Sequence, residues 1–94
     1  MSMSQEAAET IALQALGWLA GNADLLPVFL GSTGAVVDDL RERVGDADFL
    51  GSILDFVMMD DAWVTQFCDT AGLSYEMPMM ARAVLPGGKK VYWT

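Results

Sequence analysis

The 94-residue sequence contains no histidine and a single cysteine, Cys68. Histidine is the commonest general base and a frequent metal ligand, so its absence excludes the catalytic triads that depend on it and most transition-metal sites. Cys68 has no imidazole to activate it and lies close to Trp63 and Phe67 in the sequence, so we expect a small buried side chain. A lone cysteine cannot form an internal disulfide. These absences predict a protein that is not an enzyme.

Basic residues are also scarce. Lysine and arginine number 5 against 13 aspartate and glutamate residues, and the net charge is −8 at pH 7. All five basic residues lie at or beyond Arg41. The phosphates of nucleic acids and of anionic membrane surfaces would be repelled by such a chain. The charge therefore predicts neither a nucleic-acid nor a membrane partner, and it helps to keep a rather apolar small protein soluble.

Long apolar runs and binding motifs are missing as well. No stretch approaches the roughly 20 apolar residues that span a bilayer, and the first residues lack the basic charge of a secretory signal. Asp46 and Asp48 begin like a calcium loop, but its fifth and twelfth positions, which need oxygen ligands, hold Leu50 and Val57. No phosphate-binding glycine loop is present. We expect a cytoplasmic protein without a cofactor, a metal or a small-molecule substrate.

Helical spacing is what the sequence has in abundance. Apolar residues make up 53% of the chain and recur at steps of three and four, which predicts an all-α fold, a compact bundle of about six short helices. The helix from Phe49 to Met58 is expected to form the centre of the core. A sixth helix is predicted from about Glu76 to Leu85. N-caps and helix stops are predicted at Ser4, Asp24, Asp38, Asp46 and Asp60, and at Gly21, Gly34, Gly45 and Gly72.

One glycine lies inside a predicted helix instead of at its end. Gly17 costs that helix about 1 kcal/mol relative to alanine, so we expect it to permit a close helix crossing. The domain organisation follows from the helices: residues 1–88 form a single helical domain, closed by Pro86, Gly87 and Gly88, and residues 89–94 form a C-terminal tail.

An internal similarity appears when the sequence is shifted by 38 positions, which places residues 8–34 on residues 46–72. One explanation is a duplication that gave two pseudo-symmetric three-helix units. The other is that two capped amphipathic helix pairs of equal length align by chance. The identical pairs are Leu16 and Leu54, Phe29 and Phe67, and Gly34 and Gly72. Superposing the two ranges in a structure tests the duplication.

Several short motifs together resemble a known family. They are Ala12-Leu13-Gln14-Ala15-Leu16, Phe29-Leu30 with Thr33-Gly34, Phe49-Leu50, Leu54-Asp55-Phe56, Ala71-Gly72-Leu73 and Ala83-Val84-Leu85-Pro86. In them the chain resembles a domain-of-unknown-function family of short all-helical bacterial proteins, over roughly residues 7–88. That family has no assigned activity, so the resemblance implies no catalytic residue, cofactor or partner. The tail and the Met77-Pro78-Met79-Met80 stretch depart from its pattern.

Methionine is the one residue type whose distribution indicates a partner. Flexible thioethers line adaptable interaction surfaces, and they also fill gaps in cores. Met58 and Met80 fit the helical spacing of a core, but Met59, Met77 and Met79 cannot all share that buried face with them. We therefore predict a non-catalytic protein-interaction module or a homodimer. Its candidate partner surface consists of Met77, Met79, Tyr92 and Trp93.

Acidic residues supply the alternative. A candidate acidic patch consists of Asp38, Asp39, Glu42, Asp46 and Asp48. As substitutes for phosphates, these carboxylates could let the chain act as an acidic regulator that occupies the basic groove of a nucleic-acid-binding protein. Arg41 and Arg43 are expected to pair with neighbouring acids. An enzyme based on carboxylates would need a pocket with two close acids of perturbed pKa.

Overall fold

Residues 3–34 and 36–85 are described by a computed structural model, and they form six α-helices. No strand is present in these two ranges, so the prediction of an all-α bundle is confirmed. Tyr92, Trp93, the rest of the tail and the predicted stop at Pro86 to Gly88 lie outside the described residues. The helices are α1 (Gln5–Ala20), α2 (Leu26–Thr33), α3 (Val37–Arg43), α4 (Ala47–Val57), α5 (Asp61–Ala71) and α6 (Met77–Val84).

Three of the helices begin at the predicted side-chain caps. Ser4 accepts a hydrogen bond from the backbone N–H three residues later, at 3.1 Å. Asp46 and Asp60 each accept one from the N–H two residues later, at 2.9 Å and 2.8 Å. These side chains satisfy donors that the first turn of a helix leaves unpaired, which is why the sequence marks the starts of α1, α4 and α5 so clearly.

The helices α2 and α3 begin without a side-chain cap, so the predicted caps at Asp24 and Asp38 are wrong. Before α2, Oδ1 of Asn22 accepts hydrogen bonds from the N–H groups of Asp24 and Leu25, at 3.1 Å and 3.2 Å. Asn22 therefore holds the turn, and Asp24 lies inside it. Because α3 begins at Val37, Asp38 belongs to its first turn, where a negative charge favours the helix dipole.

Gly34 and Gly72 end α2 and α5 as predicted. Both adopt a left-handed conformation, with φ of 72° and 73°, that residues with a Cβ rarely tolerate. Gly17 has a different environment from the one predicted: it is exposed, and a Cβ added to it would meet nothing within 4 Å. A close crossing would require another helix to pack against Gly17, and none of the six described helices does, so this prediction is wrong.

The core lies between α1, α4 and α6. The first of these packs mainly against the other two, and α4 contributes the largest buried set, so its predicted place at the centre is confirmed. On α6 the buried residues are Pro78 and Ala81, followed by Leu85 just after the helix. The buried residues of α4 are Phe49, Leu50, Gly51, Ile53, Leu54, Phe56 and Val57.

Local features of the two halves correspond at the shifted positions. Phe29 and Phe67 are both fully buried, and each precedes its left-handed glycine by five residues. The first helices of the two halves differ, because α1 has 16 residues and α4 has 11. The pseudo-symmetry of the two units stays a prediction, tested by superposing residues 8–34 on residues 46–72.

Candidate functional site

An aromatic cluster holds α2 against α4 and α5. The ring of Phe29 meets that of Phe56 edge-on, with 5.3 Å between centroids, and lies 6.1 Å from that of Phe49. On the other side, Phe56 stacks on Trp63 at 5.0 Å. Aromatic pairs at such distances stabilise a fold beyond the area that they bury. The cluster fixes one side of α4, and the surface feature described next lies there.

A cleft of about 480 Å³ opens beside this cluster. Its wall comes from the end of α2, the last residue of α3 and one side of α4. We call it the α2–α4 cleft; the residues that line it are Ser32, Thr33, Arg43, Asp46, Asp48, Phe49, Ser52, Asp55, Phe56 and Met59.

The predicted acidic patch is brought together only in part. Asp46 and Asp48 line the α2–α4 cleft, whereas the three acids of α3 do not. A third carboxylate of the cleft, Asp55, was not among the predicted site residues. A signal for it exists in the sequence, because Asp55 follows Asp48 by seven residues and two helical turns place both on one side of α4.

Arg43 contributes the positive charge of the cleft. Its guanidinium carbon lies 5.6 Å from the centroid of the Phe49 ring, a cation–π arrangement. Arg43 was predicted to pair with an acid; among the described residues it lies instead against an aromatic ring. The short connection between the last residue of α3 and the first turn of α4 brings the two side chains together. The side chain of Arg41 lies outside the described part of the chain.

An ion pair joins the cleft to α6. The Nε atom of Arg82 donates a hydrogen bond of 2.6 Å to Oδ1 of Asp55. A second nitrogen of Arg82 donates to the carbonyl oxygen of Leu85 at 3.4 Å. Across residues 3–34 and 36–85, no group of three or more acidic or cysteine side chains is placed to hold a metal ion. The three acids that line the cleft therefore do not converge on one point.

Cys68 is a buried side chain, as predicted. It is fully shielded from solvent within α5, and the prediction of a small buried hydrophobe is confirmed. Burial raises the pKa of its thiol, and the charge of the neighbouring Asp69 raises this pKa further. A thiol with a raised pKa is a poor nucleophile at neutral pH, because the reactive thiolate is disfavoured.

The outward side of α6 is the second surface of interest. Met79 is 62% exposed and Met80 is 37% exposed. Glu76 and Ala83 are exposed one turn before and after them, and we call these four residues the α6 outer face. Its spacing of three, one and three residues is that of a single helical stripe.

The predictions for these methionines need two corrections. Met80 was predicted to lie in the core, but Pro78 and Ala81 take the buried positions of α6 and turn Met80 outward. Met77, predicted for the partner surface, is half-buried and packs against the core. Pro78 lies in the first turn of α6, where a proline is tolerated, and its ring is also a core side chain that the helical spacing did not predict. Met79 alone of the predicted surface is described as exposed.

These observations define the class of protein as a small all-helical domain with an open cleft. The family described as "Protein of unknown function (DUF3572)" matches residues 5–88, and the chain belongs to it. The resemblance noted in the sequence is thereby confirmed. No curated protein and no solved structure matches the chain. In the part of the chain that the structure describes, no helix combines the length and apolar character needed to cross a membrane.

Proposed function

We propose that this chain is a non-catalytic protein-interaction module, which docks on a partner protein through the α6 outer face. The observation that carries the proposal is the exposure of Met79, at 62%, beside the exposed Met80. Thioether side chains are flexible and polarizable, so they adapt to the shape of an apolar partner. Burying them on association would remove apolar area from water, the main driving force of most protein association.

A comparison between helices supports this choice of surface. The exposed residues of α5 are almost all polar, among them Thr65, Gln66 and Thr70. On the α6 outer face only Glu76 is charged, and the other three residues are apolar. Apolar residues grouped on one helical stripe indicate an interaction surface more strongly than the same residues scattered singly.

The charge of the chain favours a different protein over a second copy. Each copy has a net charge of −8, so two copies repel each other before any contact forms, most strongly at low ionic strength. A homodimer stays the alternative occupant of the same surface. The absence of histidine and the buried Cys68, whose raised pKa disfavours the thiolate, support a role without catalysis.

The test is affinity capture from the organism's own cells with three forms of the full chain. They are the wild type, the double variant Met79→Glu/Met80→Glu, and the control Thr65→Glu/Gln66→Glu, which places the same two charges on α5. We expect one or more proteins to be captured by the wild type and the control but lost with the α6 variant. Equal capture by all three forms would contradict the proposal. Sedimentation of the purified chain detects a homodimer, which the α6 variant would dissociate.

The acidic regulator is the second candidate. Asp38, Glu42, Asp46 and Asp48 are exposed, and Asp39 is partly so, which makes their charges accessible to a basic groove. In this case capture would fall steeply with salt. Neutralising Asp38 and Glu42 as Asp38→Asn/Glu42→Gln would then reduce capture, whereas the α6 variant would not.

A further inference from the structure

We infer that the α2–α4 cleft binds the guanidinium group of an arginine side chain, presented by a basic segment of another protein. This surface is distinct from the α6 outer face, since none of those four residues lines the cleft. Its volume of about 480 Å³ lies within the roughly 300–1,000 Å³ range of ligand pockets, and the open side admits a side chain carried on a protein surface.

Charge determines which class of ligand the cleft accepts. The lining contains the carboxylates of Asp46, Asp48 and Asp55 and the guanidinium of Arg43. Asp55 is already paired with Arg82, so the excess negative charge of the cleft comes from Asp46 and Asp48. The chain as a whole has a net charge of −8, which attracts a basic partner and repels an anionic one from a distance. Both the nearby carboxylates of the cleft and the net charge of the whole chain therefore disfavour an anionic ligand and favour a cation.

The apolar side of the cleft favours a guanidinium over a compact ammonium. The ring of Phe49 and the 73% exposed Met59 supply its accessible apolar surface, whereas Phe56 is covered by Phe29 and Trp63. Arg43 already places its guanidinium 5.6 Å from the centroid of the Phe49 ring. The structure thus shows that this ring holds such a group. A planar, weakly hydrated guanidinium stacks on aromatic rings better than a lysine ammonium does.

Hydrogen-bond acceptors complete the arrangement. Oγ of Ser52 donates its hydrogen to the carbonyl oxygen of Phe49 at 2.6 Å, so the hydroxyl oxygen offers lone pairs to a donor in the cleft. Asp46 uses one carboxylate oxygen to accept the N–H of Asp48, at 2.9 Å, which leaves its other oxygen as a further acceptor. A guanidinium has five N–H donors and no acceptor, so it complements a wall of acceptors.

The incoming arginine would replace Arg43 on the Phe49 ring. Arg43 is an exposed side chain at the end of α3, so a change of rotamer is enough to move it away. This replacement gives the inference a distinctive signature. Removing Arg43 should strengthen the binding of arginine, because both a competitor for the ring and a like charge disappear, whereas removing a carboxylate should weaken it.

The experiment is an NMR titration of the ¹⁵N-labelled full chain with the peptide acetyl-Gly-Arg-Gly-amide, and with acetyl-Gly-Glu-Gly-amide as the anionic probe. We expect the arginine peptide to shift the amide signals of Phe49 and Ser52. The variant Asp48→Asn should weaken binding about two- to fivefold, the effect expected of an exposed ion pair. The variant Arg43→Ala should strengthen it by a similar factor.

Asp61→Asn is the matched control. Asp61 lies in the first turn of α5, as Asp48 does in that of α4, but Asp61 does not line the cleft. Its variant loses the same charge and the same helix-dipole interaction, so we expect the affinity for the arginine peptide to stay unchanged.

Several results would overturn the inference. They are equal binding of the glutamate peptide, equal weakening by Asp61→Asn and Asp48→Asn, weaker binding by Arg43→Ala, or no shift with tens of millimolar arginine peptide. Binding of the arginine peptide by the variant Lys89→Ala/Lys90→Ala but not by the wild type would also overturn it, and would point to this chain's own basic segment as the occupant. The α6 outer face is unchanged in all these variants, so this test and that of the proposed function fail independently.

Discussion

Arg82 and Asp55 tie the last helix to the centre of the core through a hydrogen bond of 2.6 Å from Nε to Oδ1. The two side chains differ in their environment: that of Arg82 is 12% exposed and that of Asp55 is 55% exposed. A mostly buried guanidinium therefore relies on a carboxylate that still contacts water. The same carboxylate lines the α2–α4 cleft, so this pair links the position of α6 to the rim of the cleft.

Removing the carboxylate of this pair should destabilise the fold. We expect Asp55→Asn to lower the free energy of unfolding by about 1 kcal/mol, between the values for exposed and for buried ion pairs. Urea unfolding of Asp55→Asn, Arg82→Met and the double variant measures the coupling energy between them. The coupling should fall at about 1 M salt, since the Asp55 carboxylate is 55% exposed and its charge is screened. A coupling energy of zero would show that the contact contributes nothing to stability.

Replacing Gly17 should stabilise α1. Nothing lies within 4 Å of an added Cβ, so Gly17→Ala gains helix propensity without a clash. We expect the free energy of unfolding to rise by about 0.5–1 kcal/mol in urea denaturation. The contrasting variant is Gly72→Ala, which should lower it by about 1 kcal/mol because of the left-handed φ of 73°. A loss of stability in Gly17→Ala would contradict this expectation and would support the close helix crossing that was predicted from the sequence.

The thiol of Cys68 should be unreactive in the folded protein. It is buried and its pKa is raised by burial and by Asp69, so both access and thiolate formation are disfavoured. With Ellman's reagent near pH 8, we expect the native thiol to react about a hundredfold more slowly than the urea-unfolded chain. Met79→Cys provides an exposed thiol on the same fold, and it should react at once. Rapid reaction of the wild type would place Cys68 at the surface.

Alkaline pH should destabilise the fold through two groups beside Asp69. Its Oδ1 atom accepts a hydrogen bond of 2.8 Å from the hydroxyl of Tyr75, and this bond, with the carboxylate charge, raises the pKa of Tyr75. The pKa of Cys68 is raised as well. A raised folded-state pKa contributes stability below the unfolded value, which is lost as the pH rises. We therefore expect stability to fall above about pH 9. The ordinary pKa of a thiol lies near this pH, and that of a phenol lies higher, so Cys68 contributes to the loss first and Tyr75 at higher pH.

Asp69→Asn checks the cause of that pH dependence. The variant removes the charge that raises both pKa values, so its stability should fall less steeply between pH 9 and pH 11 than that of the wild type. Thermal melts across this range measure the slopes. Identical slopes would show that Asp69 does not control the two groups.

The helix boundaries show which parts of this fold can be read from the sequence. Asp46 and Asp60 cap long amphipathic helices, so the polar residue and the apolar stripe agree on where each helix begins. Asp24 and Asp38 are equally good caps by residue type, yet in the folded chain neither of them caps a helix. For Asp24, Asn22 has already accepted the nearby N–H groups, a choice that depends on turn geometry.

The α2–α4 cleft could be predicted only in fragments. Asp46 and Asp48 were predicted because they are acids two residues apart, and the seven-residue spacing from Asp48 could have added Asp55. Ser32 could not have been found, because it reaches the cleft only through the packing of Phe29 on the aromatic rings of α4. The sequence also did not predict which side of α6 faces the core, because Pro78 takes a core position and Met79 and Met80 face solvent.

The role of the α6 outer face is tested most directly by methyl NMR. The full chain is labelled with ¹³C-methyl methionine and titrated with the protein captured by the wild type. We expect the methyl signals of Met79 and Met80 to shift or broaden, while that of Met58, packed against the core, stays unchanged. Unchanged Met79 and Met80 signals in a saturated complex would contradict the proposed docking surface.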